Sequence, residues 1–409
     1  MKAVVFHGVG DIRLEEVPEP KIQAPTDAIV RITASAICGT DLHMIRGTLP
    51  GMAQGTILGH EGVGVIEELG PGVRNFSVGD RVIIPSTIAC GNCSYCRAGY
   101  TSQCDYANPN GPQAGTAFYG GPKKSGPFDG LQAEKARVPF ANFNLVRIPE
   151  GIDDEEALLL SDIFPTSWMA AEMAEIGDGD TVAVFGCGPV GQLAIASAKL
   201  MGAGRIFAID CVPDRLAAAQ AQGAEVIDFS KEDPVEAIRD LTDGIGVDRA
   251  IDAVGVDSIH AHRGPAKPGD EEKAQFEQEL RAIAPETNPS GENWVPGDAP
   301  SQAIDWAVQA LAKAGTLSII GVYPPSDRFF PLGLAMGKNL TMNAGNCNHR
   351  TYIPHLLDLI ESGVISPGAI LSQHRPFAEV MDAYRSFDRR EPHWLKVGLY
   401  PEGAAEPTH

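Results

Sequence analysis

The densest chemistry in the chain is Cys90-x2-Cys93-x2-Cys96-x7-Cys104. Two-residue gaps let successive thiolates wrap one tetrahedral Zn2+, and a short loop delivers the fourth. Four protein ligands leave no open coordination position, so a metal held here is structural. Disulfides or unliganded thiols are the alternatives, but clustered cysteines in a reducing compartment more often bind metal. The other four cysteines, Cys38, Cys187, Cys211 and Cys347, are scattered.

A second set is dispersed. Cys38 opens the run CGTDLHM, His60 and Glu61 follow Gly59, and Asp162 lies in SDIFPT. One thiolate, one imidazole and one carboxylate can supply three ligands and leave the fourth position of a zinc to substrate. Spacing does not make them converge, and a lone Cys38 or His60 is more often structural than a ligand.

The third signal is Gly186-Cys187-Gly188-Pro189-Val190-Gly191, which fits G-x-G-x-x-G. Alone the pattern is weak. Here it sits between a strand-like run (181–185) and a stretch of helical periodicity, and Asp210 closes the next apolar run 19 residues beyond Gly191. In that context the glycines admit a pyrophosphate against the backbone at a helix N-terminus. Asp210 would accept hydrogen bonds from the adenosine ribose and repel a 2′-phosphate, which favours NAD over NADP. Arg215 is the contrary signal, because its cation could meet that phosphate.

The elements that must position these groups come in two textures. The first 150 residues hold short apolar runs (28–32, 62–67, 81–85, 143–148) split by Gly and Pro, the pattern of an irregular β domain. After residue 161, strand-like runs at 181–185, 205–210, 225–227 and 247–253 alternate with helical stretches at 188–202, 214–222 and 235–241. Such alternation predicts an α/β fold with a doubly wound parallel sheet. It stops between 256 and 300, a Pro-rich, charged segment with one short helix at 276–283, which reads as an insertion over the sheet. A helix at 302–314, a strand at 316–322 and a helix at 353–362 follow.

Composition limits the partners. With 53 acidic against 32 basic residues the formal charge is −21, and no basic run is present, so nucleic acid and anionic membrane surfaces are excluded as expected partners. Residues 1–10 lack the apolar core of a secretory signal, and no run of apolar residues is long enough to span a bilayer. A soluble cytoplasmic protein is expected.

Residues 38–73, the four-cysteine lobe and the GCGPVG turn together resemble the zinc-dependent medium-chain alcohol dehydrogenases over nearly the whole chain. GHEGVGVIEELGPGV (59–73) is similar to that family's zinc signature. CGTDLHM, the Asp of SDIFPT, the insertion after Gly255 and NAGNCNHRTYIP (343–354) look most like the glutathione-independent formaldehyde dehydrogenases and formaldehyde dismutases. Asp162 stands where many members have Cys, and the formaldehyde-active branch makes the same change. A carboxylate donates less charge than a thiolate and should leave the zinc more electrophilic.

The resemblance implies a GroES-like β-rich catalytic domain (1–163 and 342–409) with a structural lobe at 90–104, and a Rossmann domain (164–341) with its insertion at about 256–300. It implies NAD and two zincs per chain, hydride transfer between NAD and an alcohol or aldehyde (hydrate), and a homodimer or homotetramer. Cys38, His60 and Asp162 would hold the catalytic zinc, with Glu61 beside them as support or as an exchangeable ligand. Asp41 would bond the far nitrogen of His60. Thr40 would take the alcohol proton and pass it through the nicotinamide ribose to His43, near the surface. Gly39, Thr166, Val254, Gly321, Val322 and Gly345 would contact the cofactor, and Lys396 would approach its pyrophosphate. The insertion could close over the adenine half of NAD, or be a solvated surface insertion.

Cys347, His349 and Arg350 are brought near the cofactor by the resemblance alone, and a structural role is at least as good a reading. Trp168 and Met169 could wall the substrate pocket, although aromatic and Met side chains there are more often plain core, while His7, His374, His393 and His409 show no partner pattern. A dehydrogenase of bulkier substrates and a non-catalytic NAD-binding sensor are the rival readings.

Overall fold

A computed structural model describes residues 1–111 and 113–402, so His409 and the end of the expected last segment lie outside the described residues. The apolar runs of the second half form six parallel strands. Their order is Glu225–Asp228, Arg205–Asp210, Thr181–Phe185, Val247–Asp252, Leu311–Ile319 and Thr341–Ala344. Runs such as TVAVF suit strands covered on both faces, and helices Pro189–Leu200, Pro213–Ala221 and Pro234–Leu241 connect them. Each of these helices begins on a proline whose missing N–H costs nothing at that position. Strand order reverses between Thr181–Phe185 and Val247–Asp252, so a crevice opens beyond their carboxyl ends.

The β-rich part is a seven-stranded sheet centred on Ala28–Ile37, which pairs with Gly62–Leu69 and Lys135–Val138. The C-terminal strand Val397–Tyr400 returns antiparallel to Ala28–Ile37, which brings the end of the chain into the same sheet. Among the described residues, no helix is long and apolar enough to cross a membrane.

Four local expectations differ. The sixth parallel strand carries the sheet to Ala344, past the division read at 341/342. Most of 143–148 is not strand: Ala141–Asn144 is a helical turn and only Val146–Arg147 pairs. The alanine-rich helix expected to 314 ends at Ala310. Lys338 Nζ takes the carbonyls of Val308, Gln309 and Leu311 at 2.9, 2.8 and 2.6 Å, and Ala314 turns left-handed with φ 61°. The insertion helix is longer than expected, Asp270–Ile283, because Glu272 Oε2 accepts from Gly269 N at 3.0 Å and three acids complement its first turn.

The insertion helix packs Leu280, Ile283 and Ala284 with Val256 and Tyr323. The insertion also bridges to the β domain, where Trp294 is buried in a cluster with Phe6, Ile12, Met44 and Tyr384. Asn293 Nδ2 and Trp294 N donate to Asp388 Oδ2 at 3.0 and 2.7 Å, and Asn288 Nδ2 donates to Val9 O at 3.1 Å.

Candidate active site

The four lobe sulfurs come together with all ligand atoms within 4.8 Å of one another. Cys93 Sγ is 3.4 Å from Cys96 Sγ and 3.8 Å from Cys104 Sγ, too far for a disulfide. Four sulfurs at about 2.3 Å from one zinc would be about 3.8 Å apart, so the lobe fits that ion. Backbone amides already point at the sulfurs: Cys93 N to Cys90 Sγ at 3.4 Å, Cys90 N to Cys104 Sγ at 3.3 Å, Ala107 N to Cys104 Sγ at 3.3 Å. Burial alone would raise the Cys93 thiol, but the Cys96 and Asp105 amides hold it down at about 7.

The dispersed set also converges. The ligand atoms of Cys38, His60, Glu61 and Asp162 lie within 4.8 Å of one another, and all four residues are buried. Cys38 caps helix Gly39–Arg46, and Asp162 precedes helix Ile163–Met173. Asp162 Oδ2 is 3.6 Å from Cys38 Sγ and 3.4 Å from His60 Nε2. His60 Nδ1 faces Asp41 Oδ1 at 3.2 Å, close enough for charge attraction although the two are not aligned as a hydrogen bond. Asp41 Oδ2 is fixed by Cys38 N at 3.0 Å and Gln132 Nε2 at 3.2 Å.

Burial pushes the Cys38 thiol up. Burial would also deprotonate His60 and protonate Asp162, yet Asp41 and Cys38 hold the imidazole well above its usual range. The two histidines, His349 and His60, hold Asp162 well below the usual carboxylate range. Four buried acidic groups thus face few cations, and Glu61 Oε2 has no partner. A divalent cation is what this donor set lacks.

One cavity of about 700 Å3 joins this cluster to the glycine turn. Gly39, Thr40, His43, Thr166, Pro189, Val190, Val254, Val322 and Gly345 line it, together with Gly186, Gly188, Asp210, Arg215 and Gly321. Gly186 is left-handed at φ 88°, and a Cβ on Gly191 would strike Gly186 O at 1.8 Å. At Gly188 a Cβ would meet nothing nearer than Arg215 Nη1 at 3.8 Å, so that backbone faces open cavity. The turn has the shape that a pyrophosphate needs. Asp210 accepts from Cys187 N at 2.8 Å, Cys211 N at 2.7 Å and Val212 N at 2.9 Å, with Arg215 Nη1 4.0 Å away.

The alcohol dehydrogenase GroES-like domain profile matches residues 24–150, and the zinc-binding dehydrogenase profile matches 189–261. A zinc-type alcohol dehydrogenase-like protein of Bacillus subtilis is 37% identical over 98% of this chain and 100% of its own length. The chain belongs to the zinc-type alcohol dehydrogenase family. A glutathione-independent formaldehyde dehydrogenase of Pseudomonas aeruginosa is 36% identical over 88% of this chain and 87% of its own length. An alcohol dehydrogenase from Thermus sp. ATN1 superposes with a TM-score of 0.78 at 33% identity, covering 98% of this chain and all of that one. The GroES-like and Rossmann parts are those of this family, and the chain is an oxidoreductase.

Within this zinc-type dehydrogenase, the surface position expected of His43 is corrected, and the places of Lys396, Trp168 and Met169 are as follows. Lys396, expected to approach a pyrophosphate, lines the cavity and is fully buried, its Nζ paired with Glu61 Oε1 and donating to Ile37 O at 3.1 Å. His43 is not near the surface. It is buried, its Nδ1 2.8 Å from Thr48 Oγ1 and 3.0 Å from Asp257 Oδ2, because the insertion covers it. Trp168 and Met169 lie off the cavity; Trp168 packs edge-on to His355. Of the unpatterned histidines, His7 meets Glu15 at 3.1 Å, His374 meets Glu155 at 3.1 Å, and His393 meets Asp214 at 3.3 Å.

His349, left between two readings by the sequence, sits at the site with Nε2 2.7 Å from Asp162 Oδ1 and 3.2 Å from Thr166 Oγ1. Cys347 also lines the cavity, whereas Arg350 turns away to Phe143 O at 3.0 Å. Phe118 and Asp257 were missed. Phe118 stands edge-on to His60 with ring centres 6.2 Å apart, and no local motif marks either residue.

Proposed function

We propose that the chain is an NAD-dependent zinc dehydrogenase of a small alcohol or aldehyde hydrate, formaldehyde among them. One observation carries the reading. Cys38, His60 and Asp162 of the ligand cluster and Gly186, Gly188, Pro189 and Val190 of the glycine turn line the same cavity. The small-substrate reading is supported by Phe118, which narrows the space beside His60, and by the formaldehyde dehydrogenase relative.

Zinc supplies Lewis acidity at the substrate oxygen, and NAD accepts the hydride. Cys38 Sγ, His60 Nε2 and Asp162 Oδ2 are the ligands in this reading, with Glu61 held back by Lys396. Asp41 Oδ1, facing His60 Nδ1, keeps Nε2 free for the metal. Thr40 Oγ1, 3.9 Å from Cys38 Sγ, takes the substrate proton. His43 receives it on Nε2, because Thr48 and Asp257 occupy Nδ1. Gly188 seats the pyrophosphate and Asp210 the ribose, which favours NAD.

The same reading makes the protein a cytoplasmic homo-oligomer. The homo-oligomer is supported by an exposed apolar strip, Leu332, Leu334, Met336 and Met342, at the edge strand Thr341–Ala344.

A panel of short and aromatic alcohols and aldehydes, followed at the absorbance of NADH, tests the function. His60→Ala and Cys38→Ser should lower kcat/KM by about 10³-fold or more, the several kcal/mol that a Lewis acid provides, while the lobe metal stays. Full turnover in a zinc-depleted His60→Ala variant overturns the reading.

A further inference from the structure

A third group of metal-ligand side chains lies outside both the cavity cluster and the lobe, at the neck of the insertion. The ligand atoms of His260, His262 and Asp298 lie within 4.8 Å of one another. We propose that these three residues bind a divalent transition metal, zinc in the first instance, which clamps the insertion closed.

The geometry is specific. His260 and His262 flank Ala261 and turn their rings to the same side, with centroids 4.6 Å apart at 71°. His260 Nδ1 is 3.1 Å from Ala261 O, and a carbonyl can only accept, so this nitrogen carries a proton. Nε2 is then the free nitrogen, and it lies 3.3 Å from Asp298 Oδ2. A lone pair facing a carboxylate at that distance is repulsive, and either a proton on Nε2 or a metal ion between the two atoms relieves it.

A ligating imidazole whose other N–H bonds a backbone carbonyl is the usual support for a metal site. Asp298 is oriented as well, because Oδ1 accepts from His260 N at 2.9 Å and leaves Oδ2 to the ion. Two imidazoles and one carboxylate suit zinc, nickel or copper better than magnesium or calcium. His262 is exposed and His260 and Asp298 half-buried, so an ion can enter from solvent.

The position gives the site a purpose. The two ends of the insertion meet here through Gly297 N to Asp257 Oδ1 at 3.1 Å, Ala299 N to Ser258 O at 3.1 Å and Gln302 Nε2 to Ile259 O at 2.8 Å. A metal across His260, His262 and Asp298 closes the chain between 260 and 298 at its base, and its binding free energy becomes local folding free energy. Asp257, Ser258 and Ile259, the next residues toward the sheet, line the cavity. The clamp therefore fixes a cavity wall without touching the reacting groups, and it does not depend on what the cavity binds.

The experiment is a zinc titration of the purified full-length protein at neutral pH, with bound metal counted after equilibrium dialysis. The parent should hold one zinc per chain more than His262→Ala and Asp298→Asn, and His393→Ala, which removes an exposed histidine elsewhere, should match the parent. Added zinc should raise the melting temperature of the parent and not of those two variants, whose kcat stays at the parent value. With Cu2+ in place of zinc, nitrogen splitting in the electron paramagnetic resonance spectrum should report two imidazoles in the parent and fewer in His262→Ala. Equal zinc counts in parent, His262→Ala and Asp298→Asn, or loss of the extra zinc in His393→Ala alone, would overturn the proposal.

Discussion

His349 shows how much one side chain can control at this site. It holds Asp162 Oδ1 at 2.7 Å and is itself fixed by Thr87 Oγ1 at 3.1 Å, so it aims the carboxylate at His60 and Cys38. His349→Asn should lower kcat/KM by about 10–100-fold, the usual effect of removing a partner of a metal ligand, and should weaken retention of the cavity metal. Parent activity and metal content in that variant would show that Asp162 needs no such support. Asp210 is the second residue to change. Asp210→Ser removes a charged acceptor worth about 1.5–3 kcal/mol, so the NADP-to-NAD ratio of kcat/KM should rise by roughly 10–100-fold. The ratio is the proper readout, because the amides of Cys187, Cys211 and Val212 also lose their acceptor and stability falls. An unchanged ratio would mean that Asp210 serves the turn and not the ribose.

At the scale of elements, the lobe and the insertion are opposite cases. The lobe has little core of its own and relies on four sulfurs, so Cys96→Ser should lower the zinc count by one per chain and the melting temperature with it. An undiminished zinc count and a parent-like melt would rule out the four-sulfur site. The lobe also carries a pH sign. The Cys93 thiol sits at about 7 in the fold against an ordinary 9.0, a lowered value. That contribution is present above the ordinary thiol pKa and is lost as pH falls through about 7, so the stripped lobe should rebind zinc more weakly in acid. The insertion is built by packing instead. Its helix caps itself through Glu272, and its far end is anchored by Asn288, Asn293 and Trp294 on the β domain.

At the scale of the molecule, that anchoring links the two domains across the mouth of the cavity. Arg46 of the β domain reaches Asp257 of the insertion at 2.8 Å and Asp388 at 2.7 Å, all buried. Trp294 stands edge-on to Tyr384 with ring centres 6.4 Å apart. Trp294→Ala should destabilise the protein by about 3–5 kcal/mol, the cost of emptying a buried aromatic site, while the folded fraction keeps its zinc. A melt within a degree of the parent would mean that the strap is not packed as described.

Local chemistry was legible in the sequence wherever function needs residues close along the chain. The Cys90–Cys104 spacing, the glycine turn with Asp210, and the alternation of strands and helices each encode their geometry in short-range order, and the sheet follows from them. Cys38, His60 and Asp162 were legible as ligand types but not as a site, since only the tertiary fold brings the end of Ala28–Ile37, the start of Gly62–Leu69 and the start of Ile163–Met173 close enough to put their atoms within 4.8 Å. The partners of Lys396 and His43 were not legible for the same reason. Those partners, Glu61 and Asp257, lie hundreds of residues away in sequence, and a buried charge goes to whatever counter-charge the fold presents, which no local pattern records.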